Sequence, residues 1–470
     1  MSREKKLLKN TIILTFGKVF TQMITFFLLP IYTAVLSTEE FGIVDLLNTL
    51  VSLMVPIISF QLEQAVFRNL IDARNDEDQK KKVISTSFIA ILFQIVGYII
   101  IFMIIYPYIK NDYKIFLITN VFVYIFASYF QQVARGVDKP VDYAIGSFLS
   151  GVFTIITNIL FIIGLGLGAN GMLLGNMIGQ IICIIYITVR LNVLKFINIK
   201  NVDFSLLKQL YKYSMPLIPN AVSWWIFNAS DRIIVSTFLG ISKNGILSAS
   251  HKFSSLYISF FSIFNMSWTE MISVHINDND IQEFFNKMFN VSVRFFISIA
   301  VGITACMPFV YPIMIDKNYF FGYYQVPIMM LGSVFNILIG LLGSIYVAKK
   351  NTKAIANTAI VSAIINIIVH LLLINTLDLY AAAISTACAY FMMFIYRIYD
   401  VNKKYFKVQF ECGILIKSVL ISVITCVAYY SENVIFQVIS LIIVIIYAVE
   451  LNKNSFNILF GVIKNKFLHR

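Results

Sequence analysis

Apolar runs of about 18 or more residues follow one another from one end of this chain to the other, each long enough to cross a ~30 Å hydrocarbon core as a helix. In lipid every backbone N–H and C=O must find its partner inside the protein, so only helices and closed barrels can span it. Strand-length alternating segments are absent, which excludes a barrel. Of the 470 residues 59% are hydrophobic and 13% charged, against about 25% charged in a soluble domain. The chain is therefore expected to be an all-α, polytopic membrane protein. About 14 spans of roughly 20 residues each are expected at 10–35, 41–66, 84–106, 115–134, 143–166, 170–190, 212–239, 245–271, 291–314, 324–347, 354–375, 380–399, 412–430 and 434–451. The first segment is too long for a cleavable signal, and no small-residue cleavage site follows it.

The net charge of +13 would suit nucleic acid, but its placement points elsewhere. With the N-terminus taken as cytoplasmic, the outward loops carry only Lys110, Lys114, Lys243 and Lys317, and most other Lys and Arg fall in inward segments. That asymmetry is the positive-inside pattern, with both termini cytoplasmic and an even number of spans. No nucleic-acid partner is expected. Cys183, Cys306, Cys388, Cys412 and Cys426 all fall in spans at unrelated spacings, and the four His form no cluster, so neither a metal site nor a disulfide framework emerges. No G-x-x-x-x-G-K-[ST] loop is present, and Gly164-x-Gly166-x-Gly168 lacks a strand-turn-helix setting and reads as an outer turn. Neither an enzyme nor a bound cofactor is expected.

The longest connection, 191–211, reads as a basic, partly amphipathic cytoplasmic linker on the membrane surface, and it divides the spans into two sets. The sets are weakly similar. Leu7-Leu8-Lys9 and Leu206-Leu207-Lys208 precede spans 1 and 7. Leu36 and Gly42 frame the first outward turn as Leu239 and Gly245 frame its counterpart, and Asn75-Asp76 matches Asn279-Asp280. Parallel repeats of this kind are a transporter architecture. The organisation expected is a first set of six spans over 1–190, the linker, a second six over 212–400, two appended spans over 401–451, and an amphipathic cytoplasmic tail over 452–470.

Ionised residues inside apolar segments carry the functional signal. Asp231 and Arg232 adjoin within 215–239, and Lys18, Asp45, Lys252 and Arg294 lie in other spans. Each such charge at the bilayer centre costs about 2.5–3.5 kcal/mol even on lenient scales, so it faces protein or a water-filled cavity. Span 1 sets Thr11, Thr15, Lys18, Gln22 and Thr25 on one helical face; span 2 does so with Asp45, Asn48, Ser52, Ser59 and Glu63. A shared aqueous cavity and interhelical polar packing both fit these stripes, and Lys18 and Asp45 favour the cavity. In span 7 Asn220 and Asp231 share one face, while Asn228, Arg232 and Ser236 share another about 100° round. Lys18, Arg232 and Lys252, with Arg68 near an inner span end, make the candidate site cationic, which suits an anion with several oxygens such as phosphate or pyrophosphate. Asp45, Asp231 and Glu63 are candidates for coupling to H+ or Na+, or for neutralising neighbouring cations. Gln22, Asn48, Asn228, Trp224 and Trp225 are candidates for a sugar path. Arg294 and Glu270 read as snorkelling groups, and His370 as a hydrogen-bonded core residue.

Leu7-Leu8-Lys9-Asn10-Thr11, Gly17-Lys18, Leu29-Pro30-Ile31-Tyr32 and Leu36-Ser37-Thr38-Glu39-Glu40-Phe41-Gly42 resemble the opening of bacterial polysaccharide repeat-unit flippases, the O-antigen and capsule exporters of the Wzx type. Glu63 to Arg68, Ala134-Arg135-Gly136, and Pro216-Leu217-Ile218-Pro219 leading through Trp224-Trp225 to Asp231-Arg232 and Leu239-Gly240 extend the resemblance. It implies the fold of the multidrug/oligosaccharidyl-lipid/polysaccharide exporters, two six-helix lobes around a central cavity with two further C-terminal helices. It also implies the substrate, an undecaprenyl-pyrophosphate-linked oligosaccharide flipped to the outer leaflet of the cytoplasmic membrane. Lys18, Asp45, Arg68, Asp231 and Arg232 are the family positions it carries over; Lys252 rests on its position alone. Further expected partners are membrane lipids and the polysaccharide polymerase and chain-length machinery, with the transporter itself a monomer. The rival readings are a lipid II flippase, an ion-coupled multidrug antiporter, which would need an acidic cavity, and a membrane polysaccharide polymerase or ligase, which would need a large outer loop.

Overall fold

The structure is a computed structural model that describes residues 23, 26–108 and 112–468, the side chains of Trp224, Phe227, Asn228, Thr352 and residues 454–468 excepted. Among the described residues there are sixteen α-helices and no strand. In chain order they are α1 (Leu29–Val35), α2 (Thr38–Ile58), α3 (Leu62–Asp72), α4 (Glu77–Ile105), α5 (Lys114–Gly136), α6 (Pro140–Asn158), α7 (Gly168–Arg190), α8 (Phe204–Ser214), α9 (Ile218–Phe238), α10 (Ile241–His275), α11 (Ile281–Met314), α12 (Val326–Ala348), α13 (Thr352–Leu377), α14 (Tyr380–Lys404), α15 (Cys412–Tyr430) and α16 (Val434–Leu468). Among the described residues, eleven helical segments are long and apolar enough to span a membrane. Many of their large apolar side chains are open to the surroundings, among them Phe93 at 73% and Ile104 at 66%. Side chains of this kind are stable in contact with lipid, and the chain is a multi-pass membrane protein.

Three expected spans are not among the eleven. The first lies mostly outside the described residues. The other two are α9 and α10, whose Asp231, Arg232, His251, Lys252 and repeated Ser and Asn dilute their apolar character. These two helices carry Arg232 and Lys252, two of the cations that sequence assigned to the site.

The chain divides into two compact units, Met1–Gly245 and Ile246–Arg470, with the division inside α10. In unit 1, α6 packs along α7, α5 against α3 and α7, and α2 against α9. Span 2 is broken. Helix α2 ends at Ile58, past Pro56, and Phe60 and Gln61 both take left-handed φ values of 51° and 55° before α3 starts. Neither is glycine, so the turn holds a conformation that costs L-residues free energy. Segment 191–214 makes two 3₁₀ turns and then α8, which Asp203 caps through Oδ1 at 2.8 Å from Ser205 N and 3.1 Å from Leu206 N. It is pinned to the start of α4. Ser85 Oγ donates to Phe196 O (2.7 Å) and accepts from Asn198 N (3.0 Å), while Thr86 Oγ1 accepts from Asp203 N (3.0 Å).

In unit 2, α12, α13 and α14 pack together and α11 lies along α15 and α16. Its core is aromatic: Trp268 is 1% exposed and donates to Leu341 O at 3.1 Å, and Tyr323 stacks on Tyr429 at 4.2 Å. Asn286, Asn290 and Arg294, spaced one helical turn apart on α11, bind the extended segment before α15. Asn286 Nδ2 donates to Lys407 O (3.1 Å), Asn290 Nδ2 donates to Gln409 O (2.8 Å), and Arg294 pairs with Glu411. Arg294, read from the sequence as a snorkelling group, thus has a carboxylate partner in the same chain. Helix α16 runs unbroken into the 452–470 region as far as Leu468.

Candidate substrate site

Two stretches of sequence build the site, both in unit 1. Helix α2 starts at a capping box: Ser37 Oγ accepts from Glu40 N at 3.2 Å while Glu40 Oε2 accepts from Ser37 N at 2.9 Å. This satisfies donors that a helix start leaves open. The other Glu40 oxygen accepts from Ala169 N at 3.2 Å, tying the start of α2 to that of α7. The start of α2 is thus fixed two turns before Asp45. Helix α9 begins with Pro219 in its first turn, where a missing N–H does no harm.

Between these helices Arg232 Nε donates to Asp45 Oδ2 at 2.8 Å, with the side chains 19% and 15% exposed. One and two turns further along α2, Trp225 Nε1 donates to Thr49 O at 2.8 Å and to Ser52 Oγ at 3.1 Å. As α2 advances from Asp45 to Ser52 the contacts on α9 step back from Arg232 to Trp225. The two helices therefore run in opposite senses over roughly 10 Å, two turns at 1.5 Å per residue. A charge-assisted hydrogen bond of this kind contributes about 1.5–3 kcal/mol, enough to hold the guanidinium in place and small enough for a polyanion to compete with it. The polar stripe on α2 is thus engaged by α9 at Asp45 and Ser52, with the Thr49 carbonyl between them.

The remaining candidates fall as follows. Asp231 is half-buried on α9 beside Ser230, and Asn48 is half-buried on α2. Glu63 is 4% exposed in the first turn of α3, just past the left-handed turn. Arg68 lies on the exposed side of α3 and pairs with Asp72 at 2.6 Å. Lys252 is half-buried on α10 within unit 2. Lys18 and Gln22 lie outside the described residues, as do the side chains of Trp224 and Asn228. Asp45, Arg232 and Trp225 come together along the face that α2 and α9 share.

Sequence reasoning passed over one charge. Arg397, counted with the basic inward segments, is 4% exposed on α14. Its Nε and Nη2 donate to Thr358 Oγ1 at 3.2 and 2.9 Å, and its Nη1 donates to Ile339 O at 2.9 Å. One turn on, Asp400 accepts from Tyr346 (2.9 Å) and pairs with Lys404 (2.7 Å). The signal was present in α13: Thr358, Ser362, Asn366 and His370 recur every fourth residue, a buried polar stripe that requires partners. Among the described residues no group of His, Cys, Asp and Glu could hold a metal ion.

The fold is that of membrane transporters. A multidrug resistance MATE family transporter of the MOP superfamily, solved in an inward-facing conformation, superposes with a TM-score of 0.68 at 14% identity, over 81% of this chain and 95% of that one. The lipid II flippase MurJ in an inward closed conformation gives 0.68 at 16% identity, over 95% and 100%. An outward-facing MATE transporter of the same superfamily gives 0.59 at 14%, over 85% and 96%. No curated protein sequence matches. Residues 7–274 match the family described as polysaccharide biosynthesis protein, and the chain belongs to that family.

Proposed function

We propose that this protein flips undecaprenyl-pyrophosphate-linked oligosaccharide repeat units from the inner to the outer leaflet of the bacterial cytoplasmic membrane by alternating access, with both termini cytoplasmic. The observation that carries the reading is Arg232, a guanidinium set between apolar helices and held by Asp45 at 2.8 Å, in a chain of the polysaccharide biosynthesis family. A guanidinium offers a planar fork of donors suited to phosphoryl oxygens. The pyrophosphate competes with Asp45 for Arg232, and Lys18, Lys252 and Arg68 supply further positive charge along its path. Asn48, Gln22, Asn228, Trp224 and the ring of Trp225 contact sugar, while the polyprenyl chain stays in lipid. Asp45, once displaced, accepts a proton or a sodium ion, and so do Asp231 and Glu63 in turn, which couples the cycle to an ion gradient. The protein works as a monomer beside polymerase and chain-length proteins.

Proteoliposomes carrying a fluorescent lipid-linked oligosaccharide test this. Arg232→Ala is expected to lower the flipping rate at least tenfold with normal expression and monodisperse behaviour, and Lys18→Ala to lower it as well. Wild-type rates in both variants would sink the cationic site. Lipid II and a cationic drug offered to the same vesicles separate the rival readings: transport of either in place of the repeat unit replaces this one.

A further inference from the structure

Three helix ends in unit 1 meet around one arginine. Arg135 is the next-to-last residue of α5, and α6 starts at Pro140 after a short turn. That turn is held from outside. Asp138 takes a left-handed φ of 62°, and a Cβ on Gly136 would fall 2.6 Å from Leu70 Cβ on α3. Arg74, just past α3, ties the turn down: Nε donates to Gly136 O at 2.9 Å, Nη2 donates to Arg135 O at 3.4 Å, and Nη1 pairs with Asp138 at 3.4 Å. A residue other than glycine keeps such a φ only where its surroundings over-determine it. The backbone carrying Arg135 is therefore fixed.

Its side chain is fixed as well. The guanidinium lies 4.5 Å from the centre of the Phe67 ring on α3 and 5.7 Å from that of Tyr143 on α6, and both residues are half-buried. Arg135 Nη1 donates to Gln132 Oε1 at 3.0 Å. Among the described residues no carboxylate pairs with Arg135, and its Nε and Nη2 donate to nothing. The other described arginines differ. Arg68, Arg74, Arg190, Arg232 and Arg294 each pair with a carboxylate, and Arg397 is closed in by neutral acceptors. Nε and Nη2 form the edge of a guanidinium that binds two oxygens of one group side-on. In Arg135 that edge is the one left open.

We propose that Arg135 is the centre of a phosphoryl-binding site at the membrane surface, taking the headgroup phosphate of a lipid. Helices α5 and α6 belong to the apolar segments Lys114–Gly136 and Pro140–Gly164. The turn joining two such spans lies at headgroup depth, on the side that the charge asymmetry of the sequence predicts to be cytoplasmic. Lipid phosphates are the groups at that depth with several oxygens on one atom. The two rings hold the guanidinium flat and partly dehydrated, so it is already oriented when the anion arrives. Lys139, exposed in the same turn, adds positive charge. Two lipids present this chemistry, a phospholipid of the membrane and the diphosphate-linked lipid of the proposed function.

Gln132→Glu tests the site most directly, because it supplies a carboxylate beside Nη1 and leaves both rings in place. Native mass spectrometry of the full chain counts bound phosphatidylglycerol and bound undecaprenyl diphosphate. Binding should weaken about tenfold in Gln132→Glu, and about as much in Arg135→Lys, which keeps the charge and loses the fork; each change forfeits about one charge-assisted hydrogen bond. The melting temperature of Gln132→Glu should hold or rise, since its new ion pair is internal. Wild-type binding of both lipids in either variant overturns the proposal. So does a lower melting temperature in Arg135→Lys with binding unchanged, which marks a structural brace. Loss confined to phosphatidylglycerol assigns the site to a resident phospholipid, and loss confined to undecaprenyl diphosphate assigns it to the carried lipid. Loss of both assigns it to the phosphoryl group alone. The site uses neither Asp45 nor Arg232 and is read by binding, so it stands even if the flipping assay fails.

Discussion

Helix pair α6/α7 in unit 1 and helix pair α13/α14 in unit 2 solve one problem by opposite means. Each first helix carries polar residues at every fourth position: Ser150, Thr154 and Asn158 on α6, and Thr358, Ser362, Asn366 and His370 on α13. On α7 the stripe meets glycine at two positions. A Cβ on Gly179 would fall 2.0 Å from Thr154 Oγ1, and one on Gly175 would fall 1.9 Å from Asn158 Oδ1. On α14 the stripe meets partners: Ser362 donates to Ala389 O at 2.9 Å, Asn366 donates to Thr386 Oγ1 at 3.1 Å, and Thr358 accepts from Arg397. Along these stripes the first pair closes over glycine and the second through hydrogen bonds, while outside the stripe Thr157 donates to Gly175 O at 3.3 Å and Tyr186 to Asp142 at 3.1 Å across the first pair. Polar spacing in a membrane helix therefore says that a face is buried, and the opposing residue decides how it is buried.

Arg397 also contrasts with Arg232. Arg232 is partly exposed and answered by a carboxylate on another helix, an arrangement an incoming anion can replace. Arg397 is closed in by neutral acceptors from two neighbouring helices, which suits a brace. Replacing Arg397 by Ala should therefore have the largest effect on stability, about 3–5 kcal/mol from the cavity left by a large buried side chain and the stranded Thr358 and Ile339 acceptors, read as a lower melting temperature in detergent. A change below about 1 kcal/mol would mean that the arginine reaches water, where ion pairs contribute that little. Next comes Gly179→Ala on α7, expected to cost about 1–3 kcal/mol by overpacking. Adding Thr154→Ala removes the closest atom and should recover part of that loss. Strict additivity in that double mutant would break the view that the space at Gly179 is fitted to Thr154. Thr358→Val should cost a similar 1–3 kcal/mol by stranding donors of Arg397, and much less in the Arg397→Ala background.

How much of this was legible in the sequence depended on distance along the chain. Helices and lipid-facing surfaces follow from local hydropathy, so the all-α membrane fold could be read directly. The face bearing Asp45 was visible for the same reason. That this face would meet Arg232 was not, because the two lie 187 positions apart and only the crossing of α2 and α9 joins them; Asp231, next in sequence to Arg232, was the nearer acid. The break after Ile58 was hidden because Phe60 and Gln61 are not residues that announce a left-handed turn. Arg397 was lost to a rule that is right on average, since basic residues near an inner helix end usually reflect topology. The motif running from Ser37 to Gly42 was read as a family mark, and its physical content appears only with Ala169 and Gly245 opposite it.

The smallest effect tests the comparison most closely. Thr386→Val keeps the shape of the side chain and removes the oxygen that accepts from Asn366 Nδ2. Hydrogen bonds between membrane helices average about 0.6 kcal/mol, because the unfolded chain in lipid also finds partners. A loss of that size is expected in thermal unfolding, with flipping unchanged. The corresponding change in unit 1, Asn158→Leu, also removes the donor to Tyr32 Oη (2.6 Å) and enlarges a side chain facing Gly175. It should therefore cost several times more. If the two substitutions proved equal, the glycine-closed and hydrogen-bond-closed pairs would differ in appearance only, since the tightness imposed by Gly175 would then add nothing to the loss of a single bond.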